Sequence, residues 1–124
     1  MTKSKLSLNI QKDEKAKGIW QYSSYLAPVP VEYQVSLTEG DTPEILLEED
    51  LILKREDLNP TGSLKDRGMT FLVSLAGSKG LRDLVLSSSG NAAISAANYC
   101  KLAGLNLNVF VSPKITEGKK KVLQ

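Results

Sequence analysis

The chain has 124 residues, of which 41% are apolar and 24% charged, and its formal net charge is +2. This apolar content supports a packed core and excludes a disordered chain, while the balanced charge argues against electrostatic binding of nucleic acid. There is no histidine, which excludes imidazole-based catalytic triads and zinc sites, so we expect no metal. The single cysteine, Cys100, cannot form an intrachain disulfide and fits a reducing compartment.

Unbroken aliphatic runs reach three residues, as at residues 45–47 and 51–53. Runs of this length predict neither a transmembrane segment nor a signal peptide. We therefore expect a soluble, cytoplasmic protein of the α/β class with no membrane partner.

Residues 1–17 differ in composition from the rest, because they contain five lysines and two acidic residues. This pattern predicts a solvated, flexible basic tail, and the alternative is an arm that contacts nucleic acid or a partner. We expect the folded unit to comprise residues 18–124.

The first part of that unit predicts extended segments and turns. Residues 18–30 combine three aromatic residues with two prolines, which favours an extended segment that lays its rings on another surface. Residues 35–37 alternate like a short strand, and residues 51–54 form a short apolar strand. Residues 38–43 and 59–62 are turn clusters.

Over residues 64–75 the spacing of the apolar residues changes to that of a helix. Ser63 stands at the position of an N-cap, and Gly77 and Gly80 provide stop signals. The residues on the helical stripe are Leu64, Gly68, Phe71, Leu72 and Leu75.

The second half predicts a strand at residues 84–86, a sharp turn at 87–90, a helix at 91–103 closed by Gly104, and a strand at 107–111. A strand, a helix and a strand in this order form a βαβ crossover, which pairs the strands in parallel. We therefore predict an α/β fold with a partial open parallel sheet and crossover helices.

Lys65 lies in the first turn of the first predicted helix. The positive end of the helix dipole disfavours a cation there, which favours the neutral amine that forms a Schiff base with an aldehyde. Asp66 in the same turn complements the dipole. The alternative is a surface lysine that pairs with Asp66.

A second motif, Ser88-Ser89-Gly90-Asn91-Ala92, lies between the end of a strand and the start of a helix. Free backbone N–H groups at such a helix start favour anions, and the hydroxyls and the amide add donors. Open α/β sheets bind ligands at this edge. The alternative is a capped helix after a turn. With the lysine, the loop suits an amino acid held as an imine.

Four segments in order resemble one family, the pyridoxal-phosphate enzymes with the tryptophan-synthase-β-like fold, and most of all its threonine synthases. The longest is residues 54–68 (KREDLNPTGSLKDRG), and the others are residues 18–22, 36–43 and 88–93. The chain departs from the usual pattern at three positions, Gln21, Glu44 and Leu64.

The resemblance implies roles for the motif residues. Lys65 would bind pyridoxal 5'-phosphate as a Schiff base and then act as the proton-transfer base, and Asn91 would hydrogen-bond the phenolic oxygen of the cofactor. The substrate α-carboxylate would be bound by Ser88, Ser89, Gly90 and Ala92.

The members of that family are far longer than this chain. Their glycine-rich phosphate cradle lies further along, so we expect residues 18–124 to be the N-terminal portion of the fold, truncated before the half that binds the cofactor phosphate. Such a portion would leave apolar faces and strand edges exposed, would be inactive alone, and would associate with itself or another chain.

The resemblance implies an enzyme that converts O-phosphohomoserine and water to threonine and phosphate. Its partners would be a small amino-acid substrate and a second copy in a homodimer, with no nucleic acid. Two alternatives stay open. One is a threonine or serine dehydratase, or another lyase or synthase, of the same fold, and the other is a non-catalytic truncated homologue.

Overall fold

The structure, a computed structural model, describes residues 10–123, so the first nine residues of the predicted basic tail lie outside the described part. The described residues form three α-helices, four strands and three 3₁₀ turns. The strands are β1 (Glu44–Glu48), β2 (Leu51–Lys54), β3 (Asp83–Ser87) and β4 (Asn106–Phe110), the helices are α1 (Lys65–Ser78), α2 (Asn91–Ala103) and α3 (Glu117–Leu123), and the 3₁₀ turns are Gly18–Tyr25, Val31–Tyr33 and Glu56–Leu58.

The predicted βαβ unit is confirmed. Strands β3 and β4 pair in parallel, with Leu84 opposite Leu107, and α2 forms the crossover between them. Leu84 and Leu107 pack against the helical core, whereas Val85 and Phe110 on the opposite face are 69% and 64% exposed. The sheet is therefore covered by helices on one face only.

Helices α1 and α2 run side by side in the same direction. A hydrogen bond joins Asp66, in the first turn of α1, to Ser95, in the second turn of α2. Further along the same helices, Val73 and Tyr99 belong to one buried cluster. Because α2 follows β3 directly, the N-termini of both helices lie at the carboxyl end of that strand. This is the edge at which α/β sheets bind ligands.

The predicted helix ends agree with the structure only in part. The N-cap of α1 is Leu64, without a side-chain cap bond, and not the predicted Ser63. Ser63 lies one residue earlier, where its hydroxyl accepts the backbone N–H of Lys65 at 3.3 Å. Helix α2 has the predicted bounds, and Gly104 closes it in the left-handed conformation with φ of 66°. A third helix, α3, lies near the end of the described residues.

The predicted strand at residues 35–37 is wrong. The backbone of Val35 is bonded by side chains rather than by a neighbouring strand. Its N–H donates to the hydroxyl of Ser74 at 2.9 Å, and its carbonyl accepts from Thr70 and from the indole of Trp20. A strand-like pattern this short does not reveal whether its partner is a strand or a helix surface.

The predicted extended conformation of residues 18–30 is also wrong for its first part. Gly18–Tyr25 forms 3₁₀ turns, and the chain is extended only after Leu26. The expectation that the aromatic residues lie on another surface holds for Trp20, which is 6% exposed and packs against Phe71 of α1 at 6.3 Å between ring centroids.

An antiparallel hairpin of β1 and β2 adds a second small sheet. Strand β2 has its predicted bounds, and Leu46 pairs with Ile52. All nine residues of the two strands are exposed, including Leu46 at 65% and Ile52 at 60%. A two-stranded hairpin is marginal in water, so this one needs a covering surface.

The segment before α1 is held by an ion pair between Arg67 and Glu56. The guanidinium donates two hydrogen bonds to the carboxylate, each of 2.8 Å, and Thr42 and Asn59 donate to it as well. These contacts, that with Arg67 foremost, lower the pKa of Glu56 from 4.5 to about 2. The carboxylate thereby joins α1 to the loop that precedes β1.

This ion pair predicts acid sensitivity. Because the folded chain holds the pKa of Glu56 below its unfolded value, the stabilisation is complete above about pH 4.5 and is lost as the pH falls towards 2. It amounts to at most about 3 kcal/mol. The free energy of unfolding in urea should be measured between pH 6 and 2. Glu56→Gln should flatten its dependence on pH, whereas Glu49→Gln, in the exposed hairpin turn, should keep that dependence. An unchanged slope in Glu56→Gln would contradict the assignment.

Candidate functional site

Asp66 is fully buried beside the predicted lysine. Its carboxylate accepts the backbone N–H of Thr61 at 2.7 Å, and the hydroxyls of Thr61 and Ser95 at 2.5 Å each. It forms no ion pair within residues 10–123. The pairing of Lys65 with Asp66 in the alternative interpretation is therefore wrong, because the carboxylate is buried, whereas Lys65 itself is exposed at the surface.

Glu39 is a second fully buried carboxylate. It accepts hydrogen bonds from the hydroxyl of Ser36, the backbone N–H of Leu37 and, at 2.8 Å, the hydroxyl of Tyr99. Burial, followed by Glu39 and then Asp66, raises the pKa of Tyr99. Tyr99 therefore keeps its proton at neutral pH and acts as a donor. Ser95 and Tyr99 are four residues apart, so they lie on the same face of α2.

Gly18 packs closely against the Glu39 backbone. A Cβ at this glycine would lie 2.3 Å from the carbonyl oxygen of Glu39, and its φ of 58° favours glycine independently. The aromatic segment and the loop of residues 36–43 are therefore in direct contact. Through Glu39 and Asp66, this loop and the turn of residues 59–62 are both fastened to α2.

Lys65 is the first residue of α1, and its side chain is exposed. Within the described residues its ammonium group makes no hydrogen bond and no ion pair. The amine is therefore available to a ligand at the N-terminal end of the helix.

The loop between β3 and α2 presents donors at the same edge. The backbone carbonyl of Gly90 accepts the first helical bonds of α2, and the hydroxyl of Ser88 accepts the N–H of Gly90 at 3.3 Å. Within the described part of the chain, the backbone N–H groups of Ser89, Asn91 and Ala92 have no hydrogen-bond partner. They are the orphan donors expected at a helix start.

Gly90 has no structural need for glycine inside the chain. Its φ is −135°, which any residue adopts, and a Cβ would meet no atom within 4 Å. The missing side chain leaves open space beside the free donors, which permits a ligand to approach the backbone closely.

The predicted residues are brought together as follows. Lys65 and Asn91 each lie in the first turn of a helix, and the bond between Asp66 and Ser95 holds these helix starts side by side. One predicted binding residue has an additional internal role, since Ser88 shapes the loop through its bond to Gly90. An amine, hydroxyls, an amide and free N–H groups at one edge can capture an aldehyde and bind a carboxylate.

The supporting network was not predicted as such. Sequence reasoning placed Asp66 at the start of the helix to complement its dipole, and it did not single out Glu39, Ser95 or Tyr99. A signal existed, because Ser95 and Tyr99 recur at a spacing of four in a helix rich in alanine, which places two hydroxyls on one face.

Residues 10–123 also bear on two other site types. None of their helices has the length and apolar character needed to cross a bilayer. The same residues include no group of three cysteine, aspartate or glutamate side chains arranged to hold a metal ion.

Comparison with known proteins agrees with this geometry. The family model described as pyridoxal-phosphate dependent enzyme matches residues 35–124. The threonine synthase of Mycobacterium leprae is 45% identical over 93 residues, which cover 68% of this chain and 26% of that protein. The threonine synthase of Methanocaldococcus jannaschii is 40% identical over 113 residues, covering 82% and 27%, and that of Bacillus sp. strain ULM1 is 39% identical over 107 residues, covering 80% and 30%.

The chain thus spans less than a third of the length of these curated relatives. The family match covers most of the chain and includes both the lysine motif and the donor loop. The resemblance expressed by these motifs is confirmed, and the chain belongs to the pyridoxal-phosphate dependent enzyme family.

Proposed function

We propose that this chain is the part of a threonine-synthase-like enzyme that carries the cofactor lysine and the loop for the substrate carboxylate. The observation that carries the proposal is that the helix start bearing Lys65 lies beside the free N–H donors of Ser89, Asn91 and Ala92. The printed names of the similar proteins favour the threonine synthase reaction among the chemistries of the family.

The residues present fit the aldehyde side of pyridoxal phosphate. Lys65 supplies an amine without a competing partner, and the exposed amide of Asn91 supplies a donor for a phenolic oxygen. The space beside Gly90 accommodates a flat ring close to the backbone. When bound, the cofactor supplies an electron sink for the substrate.

The donor loop fits the α-carboxylate of an amino acid. The hydroxyls of Ser88 and Ser89 and the free N–H groups of Asn91 and Ala92 surround the start of α2, which has no acidic residue in its first turn to repel an anion. Each charge-assisted hydrogen bond there is worth about 1.5–3 kcal/mol before desolvation. Gly90 contributes access, because its own N–H is already bonded to Ser88.

In the proposed reaction, O-phosphohomoserine and water give threonine and phosphate. The donor loop orients the substrate by its carboxylate, which leaves the reacting carbons facing Lys65. The Nζ atom of Lys65 then takes a proton from a substrate carbon and returns it at a later step. The exposed position of this side chain at the helix start gives it the freedom to do both.

The exposed apolar surfaces support a partner for this unit. The hairpin and the outer face of β3 and β4 both present large aliphatic or aromatic side chains to solvent, with Leu46, Ile52, Val85 and Phe110 each at least 60% exposed. We propose a cytoplasmic enzyme that acts as a homodimer on a small amino-acid substrate, without nucleic acid. In this proposal the chain does not turn over substrate by itself.

The first prediction from this proposal concerns the attachment point. After incubation with pyridoxal phosphate and reduction with borohydride, peptide mapping should find the pyridoxyl group on Lys65 in preference to Lys54 and Lys79. Lys79, at the other end of α1, is the internal control. Preferential labelling of either control lysine would contradict the assignment.

The second prediction concerns affinity. The donors described here serve an aldehyde, a phenolic oxygen and a carboxylate, and a dianionic phosphate without its own donors is costly to bury. Equilibrium dialysis should therefore show that the chain holds pyridoxal phosphate weakly and barely distinguishes it from pyridoxal. A tightly bound, stoichiometric yellow cofactor on this chain would show that the phosphate site is present.

The third prediction separates the roles of Asn91 and Ser89 in the catalytically complete protein. Asn91→Ala should alter both the visible spectrum of the bound cofactor and substrate binding, because the amide faces the phenolic oxygen. Ser89→Ala should weaken substrate binding and leave the resting spectrum nearly unchanged. The opposite pattern would reverse the two roles. If neither variant changes affinity or rate, the loop is only a capped helix.

A further inference from the structure

The two motifs of the proposed site belong to different helices, and one side-chain hydrogen bond joins those helices in the described part of the chain. It runs from the hydroxyl of Ser95 in α2 to the carboxylate of Asp66 in α1, and both residues are fully buried. Val73 and Ala76 of α1 and Tyr99 of α2 also belong to one buried apolar cluster.

Asp66 also fixes the chain on the other side of the lysine. Its carboxylate accepts both the N–H and the hydroxyl of Thr61, four residues before Lys65. The backbone is thereby held on both sides of the lysine by one side chain. An ionised carboxylate offers only acceptors, which matches the three donors that surround it.

This arrangement is a poor way to gain stability. A buried carboxylate without a cation costs desolvation energy, and the apolar cluster already joins the helices. Apolar packing has no direction, however, whereas a hydrogen bond depends on distance and angle. The bond between Asp66 and Ser95 therefore specifies the register of the two helix starts.

We propose that Asp66 is a positioning residue that, through Ser95, sets the separation between the Lys65 amine and the donor loop beginning α2. This inference rests on the proposed function of that site. It assigns the buried carboxylate a role in the geometry of aldehyde capture, without direct contact with cofactor or substrate.

The experiment compares two aldehydes on the full 124-residue chain. Pyridoxal carries a phenolic oxygen for Asn91 and lacks the phosphate, whereas pyridine-4-carboxaldehyde lacks both. After borohydride reduction, mass spectrometry gives the ratio of labelling at Lys65 to that at Lys79 for each aldehyde. Dividing the two ratios removes the general reactivity of each probe.

Two matched variants test the role of the hydrogen bond between Asp66 and Ser95. Ser95→Ala removes the bond to Asp66, and Ser74→Ala removes a comparable bond between a buried helical serine and Val35. In the original chain, the ratio of Lys65 to Lys79 labelling should be about fivefold or more higher with pyridoxal than with pyridine-4-carboxaldehyde, as expected for one charge-assisted hydrogen bond. Ser95→Ala should reduce this preference to below about twofold, and Ser74→Ala should retain it.

The outcomes are distinguishable. If the original chain shows no preference for Lys65, the proposed function fails and the inference fails with it. If the preference exists and survives in Ser95→Ala, the proposed function stands and the positioning role is overturned. Loss of the preference in both serine variants would also overturn it, since general loosening of α1 would then explain the effect.

Discussion

Two buried carboxylates, Glu39 and Asp66, impose the main constraint on this structure. Each is fully buried, and its partners are hydroxyl and backbone N–H groups rather than cations of the described residues. A buried carboxylate of this kind is tolerated only when its hydrogen-bond partners are correctly placed. The loop of residues 36–43, the turn of residues 59–62 and helix α2 must therefore meet in one arrangement.

That arrangement places the chemistry at the edge of the fold. The carboxylates face inward, and the groups left for a ligand are those at the starts of α1 and α2, above the carboxyl end of β3. The apolar core supplies most of the attraction between the helices, while the polar contacts select how they are aligned. Stability and site geometry thus depend on different residues.

Local signals predicted the second half of the chain well. Helix α2 was predicted with its observed bounds, and the parallel pairing of β3 with β4 was also correct. These features depend on neighbouring residues, such as the glycine at position 104. The strand predicted at residues 35–37 failed because its backbone partners are side chains of α1 and Trp20, which are distant in sequence.

The sequence by itself determined the class of fold, the lysine motif and the donor loop, because these depend on short segments with distinctive residues. Only the tertiary structure decided that Asp66 turns away from Lys65 and bonds to Ser95, and that Glu39 is buried against Tyr99. The physical reason is that a carboxylate near the start of a helix is equally suited to solvent, to an adjacent lysine or to a buried hydroxyl. The choice among these partners depends on which side chains a second helix brings to it.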